Sequence, residues 1–218
     1  MNLPFSTEDF LQVFESYNLA VFPLQIVFNL LAVVMIFLAF WKTKYSGRII
    51  SFSLSFFWLW IGVVYQILFF SKINPAAKIF AVIFILQGLL FLIMGVIKRN
   101  LNFTYKKDLR SITGAVLMIY ALIVYPLLGM LLGHAFPRNP TFGLPCPTTI
   151  FTFGMLLWSE EKLPVYAVIL PFLWSVIGFS AAFKLGIVED TGLLISGIIG
   201  LWMTVQLKRK ELKTRIAG

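Results

Sequence analysis

The chain predicts an all-α integral membrane protein with seven transmembrane helices, and three observations carry that expectation. Its residues are 60% hydrophobic and only 12% charged, with a mean hydropathy of +0.91, whereas a soluble domain carries about 25% charged residues. The apolar residues fall into stretches mostly long enough to cross a hydrocarbon core of about 30 Å. The basic residues collect in short segments between those stretches, as membrane insertion requires. That placement makes the lipid bilayer, and not nucleic acid, the expected partner of a chain with net charge +9.

Residues 1–18 are too polar to span. Ser6 and Asp9 have the spacing of a capping box, and Phe5 and Phe10 that of a hydrophobic staple. Phe10, Leu11, Phe14 and Tyr17 share one face, so a short interfacial amphipathic helix is expected, either a lid or a lead-in to the first span. The first nineteen residues hold no Lys or Arg, so a cleavable signal peptide is not expected. The remainder, 19–218, reads as one transmembrane domain with spans near 20–41, 49–70, 79–97, 112–133, 147–158, 164–184 and 191–207. The fifth is short. Either part of the loop before it enters the bilayer depth, or the helix is broken or tilted.

Charge sets the orientation. With the N-terminus outside and the C-terminus inside, fourteen of the eighteen basic residues face the cytoplasm: Lys42, Lys44, Arg48, Lys98, Arg99, Lys106, Lys107, Arg110, Lys162, Lys208, Arg209, Lys210, Lys213 and Arg215. Only Lys72, Lys78, Arg138 and Lys184 fall outside, which fits the positive-inside bias.

An internal repeat supports the same layout. Ser55–Gly62 (SFFWLWIG) aligns with Pro171–Gly178 (PFLWSVIG). Phe22–Ile26 (FPLQI) aligns in the same way with Cys146–Ile150 (CPTTI). The pattern reads as a 3+1+3 parallel pseudo-repeat, with units at about 20–99 and 144–209 joined by a linker helix at about 112–133. Chance likeness between apolar helices is the competing explanation.

The unusual residues gather in Gly133–Gly154. It holds the only histidine, His134, the only cysteine, Cys146, and four of the ten prolines. Gly143 fits a turn that needs positive φ. Pro147 fits the first position of the fifth helix. Thr148, Thr149 and Thr152 then place hydroxyls near a helix start, where dipoles or anions bind. Proline and glycine turns also need no ligand, so a purely connecting role stands beside this one. One His and one Cys make half a zinc site at most, so no metal and no cofactor is expected.

Within the spans, Gln25 and Asn29 are four apart and share a face, and Gln87 adds an amide at another depth. Such groups bond between helices or line a polar cavity. No ionisable side chain falls in the middle of a span as drawn, which argues against proton coupling. Glu189 and Asp190 read as caps of the last span, with the mouth of the bundle as the other place for them. Pro126 and Pro171 can kink their helices. There is no HExxH, GxSxG or P-loop, so a motif-based enzyme is not expected.

The segments PFSTEDFLQVFESYN, AVFPLQ and PTFGLPCPTTIFTFG resemble a family of small bacterial multi-pass membrane proteins known only as a domain of unknown function. The resemblance covers nearly the whole chain. It implies an inner-membrane location and no established activity.

The leading expectation is a transport or channel protein for a small neutral or anionic solute, contacted by Gln25, Asn29, Gln87, His134, Cys146, Thr148, Thr149 and Thr152. One alternative is a thiol-dependent sensor or membrane enzyme using Cys146 with His134. The other is a structural or assembly protein. No residue pattern specifies an oligomeric state.

Overall fold

The computed structural model describes residues 4–160 and 163–217, with 207–217 as backbone alone. Lys162 lies outside the described residues, as do the side chains of Lys208, Arg209, Lys210, Lys213 and Arg215. The described chain is helical throughout, with isolated bridges such as that between Phe103 and Ser159. Five helices are long and apolar enough to cross a membrane: α3 (Ser46–Lys72), α4 (Ala77–Ile97), α5 (Leu109–Leu131), α7 (Tyr166–Leu185) and a span at Val188–Gln206. The last comprises a 3-10 turn and the start of α8 (Thr191–Ala217). The pair α1 (Thr7–Val21) and α2 (Leu24–Phe40) passes the same test jointly, but is bent by 84° at Phe22–Pro23.

Helix α1 starts as its sequence dictates. The Ser6 hydroxyl accepts from the Asp9 amide at 3.1 Å and the Asp9 carboxylate accepts from the Ser6 amide at 2.9 Å. The rings of Phe5 and Phe10 stack at 5.8 Å. The helix runs to Val21, three residues past the expected end, because its last turn is buried too: Tyr17, Asn18 and Val21 all face protein.

Helix α6 (Pro145–Leu157) is the expected short element, thirteen residues long. It is neither broken nor lipid-facing: every residue from Pro147 to Leu157 is buried. A helix apolar all round belongs in a core, and one enclosed by protein need not match the bilayer thickness. Its C-terminal carbonyls are satisfied from α5. Arg110 donates to Leu156 O at 3.1 Å and to the Ser159 hydroxyl at 2.9 Å, placing a cation at a helix C-terminus. Gly114 and Gly154 allow α5 and α6 to touch, since a Cβ on either would lie 2.7 Å from the other's carbonyl oxygen.

Both prolines act on the backbone. Pro126 follows the widened π-type turn Tyr120–Val124 in α5, the local answer to its missing N–H. Pro171 sits inside α7 and leaves the carbonyl of Ala167 without its intrahelical donor. Gln87 of α4 donates to that carbonyl at 3.1 Å.

Candidate functional site

The first turn of α6 differs from the expected one. Leu144 is the N-cap, and Pro145, not Pro147, occupies the first helical position. With prolines at 145 and 147, only Cys146 has an N–H among the first three helical residues, so this helix start is poor in anion donors. Gly143 does take positive φ, +99°. Its amide donates to the Thr148 hydroxyl at 3.1 Å. Thr152 accepts from Trp58 Nε1 at 3.0 Å and donates to Thr148 O at 2.7 Å. Thr149 is fully buried, and its hydroxyl has no partner.

The other expected site residues fall into two groups. Gln25 donates to the Asn18 carbonyl at 2.8 Å, and Asn29 donates to the Gln25 carbonyl at 2.8 Å. These two line a cavity of about 240 Å³ with Phe22, Pro126, Phe136 and Thr141. Gln87 lies elsewhere, with its amide given to Ala167.

Cys146 opens on a different cavity, of about 150 Å³, beneath α1. Phe5, Phe10, Phe14, Tyr65, Phe70 and Trp174 are among the aromatic residues that line it. Asp190 is the one acid in its lining, and its carboxyl neighbours the Cys146 thiol. Tyr125 Oη donates to Asp190 Oδ1 at 2.5 Å. The indole N–H of Trp174, also a lining residue, neighbours the same thiol.

Glu189 continues the cluster. His134 Nδ1 lies 3.2 Å from its Oε1, and Tyr120 donates to its backbone carbonyl at 2.7 Å. Both acids are almost fully buried, at 1% and 4% exposure. They sit in the first turn of the last span, at its end and not in its middle. The sequence reads them as caps, reads Tyr125 only as one of several polar groups inside the spans, and gives no sign of Trp174. The available signal was a pair of acids beside an apolar span in a chain with few acids. Gln66 stands apart: it is fully buried in a π-type segment, with neither side-chain polar atom bonded.

Among the described residues, no group of three or more His, Cys, Asp or Glu could hold a metal ion. His134 and Cys146 reach consecutive residues, Glu189 and Asp190, and through them share one cluster.

Multi-spanning apolar helices around a buried helix make this a multi-pass inner (plasma) membrane protein. The chain belongs to the family of unknown function DUF6064, whose model matches residues 7–215. Comparison with curated proteins and with solved structures finds no match.

Proposed function

We propose that the protein is a transport or channel protein for a small neutral solute, held in the cavity that Cys146 and Asp190 line under α1. The observation that carries this reading is the cavity itself: about 150 Å³, ringed by aromatic side chains, with an indole N–H, a thiol and a carboxyl in its wall. An engineered cavity of about this volume takes benzene, so the solute has few heavy atoms. An anionic solute loses support, because Glu189 and Asp190 are buried nearby and the α6 start offers few amides.

In this reading α6 completes seven crossings, α1 lies across the outer mouth, the N-terminus is outside and the C-terminus inside. The 3+1+3 arrangement gains support from two equivalent contacts. Gly62 of α3 faces Ala81 and Ile85 of α4, and Gly178 of α7 faces Leu193 of α8. The second and third helices of each unit thus meet at the aligned glycine. Gln25, Asn29 and Thr141 line the neighbouring cavity, a second station for a polar solute.

Flux of small neutral solutes into liposomes holding the protein tests this, with Trp174→Phe as the variant. The proposal expects faster entry than in empty vesicles and a lower rate with Trp174→Phe. Equal rates for protein-containing and empty vesicles would overturn it.

The placement of Cys146 in that cavity also favours a thiol-dependent role, supported by His134 through the Glu189–Asp190 pair. Alkylation of Cys146 followed against pH, with and without His134→Ala, tests it. A profile indifferent to the histidine removes this reading.

A further inference from the structure

A third cavity, of about 310 Å³, lies at the other end of the α3–α4 pair, where α3 begins and α4 ends. Lys44, Arg48 and Arg99 line it, together with Tyr45 and Asn102. Among the described residues, none of the three cations has a carboxylate within ion-pair distance; Lys44 lies over the Tyr45 ring at 5.8 Å. The chain has acids available and pairs other cations with them, as Lys42 with Glu160 at 2.5 Å. Three positive side chains thus converge on one hollow without internal neutralisation.

The backbone adds an independent observation. Arg99 has φ of +56°, the only positive φ among the described non-glycine residues. It follows the end of α4, and the Asn100 amide closes the turn on Met94 O at 2.8 Å. That closing position is ordinarily glycine, which takes positive φ without a Cβ penalty. The turn itself therefore gains nothing from an arginine. The guanidinium it carries is delivered to the cavity that Arg48 lines.

Exposed apolar side chains lie next to the lining residues along both helices. Phe52, one turn along α3 from Arg48, and Ile97, two residues before Arg99, are both exposed. Cations at a span end above exposed apolar side chains match an anionic head with an acyl chain below it.

We infer that Lys44, Arg48 and Arg99 form a binding seat for a phosphate-bearing anion, and that the phosphate of an anionic phospholipid occupies it. A free phosphate offers the same chemistry without the chain. Arg48 and Arg99 supply directional N–H donors to the phosphate oxygens, and Lys44 supplies a mobile charge at the rim.

Native mass spectrometry of the full chain in detergent tests this, with dioleoylphosphatidylglycerol and dioleoylphosphatidylcholine added in turn. Preferential retention of the glycerol lipid is expected, falling about fivefold for each cation removed in Arg48→Gln or Arg99→Gly. Arg99→Gly relieves the backbone, so its loss of binding would not be a loss of fold. Lys107→Gln, which alters a cation outside the cavity, should leave retention unchanged. Displacement of the lipid by inorganic phosphate supports the seat with a free anion as occupant. Retention in its presence supports the lipid. Equal retention of the two lipids, or an undiminished preference in both arginine variants, overturns the proposal.

Discussion

Gln87 donates its side-chain amide to the carbonyl of Ala167, 3.1 Å away across the α4–α7 contact. Pro171 four residues on has no N–H to give that carbonyl, so one helix repairs the other. Gln87→Leu therefore strands a buried acceptor and should cost about 1–3 kcal/mol. Pro171→Ala restores the intrahelical donor, and in its background Gln87→Leu should cost less. Thermal unfolding of the four proteins in detergent gives the coupling. Strictly additive effects would show that Gln87 is not the substitute donor.

Thr149 and Thr152 of α6 should separate in the same assay. Thr152→Val leaves the buried indole N–H of Trp58 without its acceptor, a loss of about 1–3 kcal/mol. Thr149→Val removes a hydroxyl that already lacks a partner, so stability should hold or rise slightly. If Thr149 contacts solute, the same variant lowers flux. A Thr149→Val protein as unstable as Thr152→Val would mean that its hydroxyl bonds within the fold.

What the sequence made legible was local. The Ser6–Asp9 cap, the Phe5–Phe10 staple, the turn at Gly143 and the shortness of α6 each rest on residues a few positions apart. What it hid depends on distant packing. The burial of α6 comes from helices on every side, and an apolar helix looks alike in lipid or in protein. Glu189 and Asp190 read locally as caps because they precede a helix. Their burial follows from Tyr125 and His134, which lie more than fifty residues earlier. Gln87 read as a solute contact because its partner carbonyl is eighty residues away.

Asp108 caps α5, its carboxylate accepting from the Ser111 amide at 2.8 Å. That bond holds the carboxyl below its ordinary value of 3.8. The stabilisation is therefore fully present above the unfolded pKa and is lost as pH falls through the depressed folded value. Solvent screens this exposed carboxyl, so the pH-dependent part is small. Asp108→Ala should cost about 1 kcal/mol at neutral pH. Asp108→Asn should keep most of the cap and flatten the acid limb of melting temperature against pH. An unchanged acid limb in Asp108→Asn would assign that limb to other groups.

Asn18 holds α1 against the rest of the molecule. Its amide donates to Pro137 O at 2.7 Å and to Asn139 O at 2.8 Å, and its side-chain oxygen accepts from Thr141 at 2.9 Å. The ion pairs of Arg138 with Glu8 and Glu15 bridge the same two segments, but they are solvent-exposed. Asn18→Leu keeps the size of the side chain while stranding two carbonyls and a hydroxyl, each costing about 1–3 kcal/mol when buried. Arg138→Gln removes contacts worth about 0–1 kcal/mol. Because Phe10 and Phe14 of α1, with Phe5 just before it, wall the cavity that Cys146 lines, undocking of α1 should expose the thiol. Alkylation of Cys146 by a small maleimide should therefore speed up at least about tenfold in Asn18→Leu, since about 1.4 kcal/mol is a factor of ten. Arg138→Gln should change it little. Equal rates in the wild type and Asn18→Leu would mean that the thiol is reached by a route that α1 does not cover.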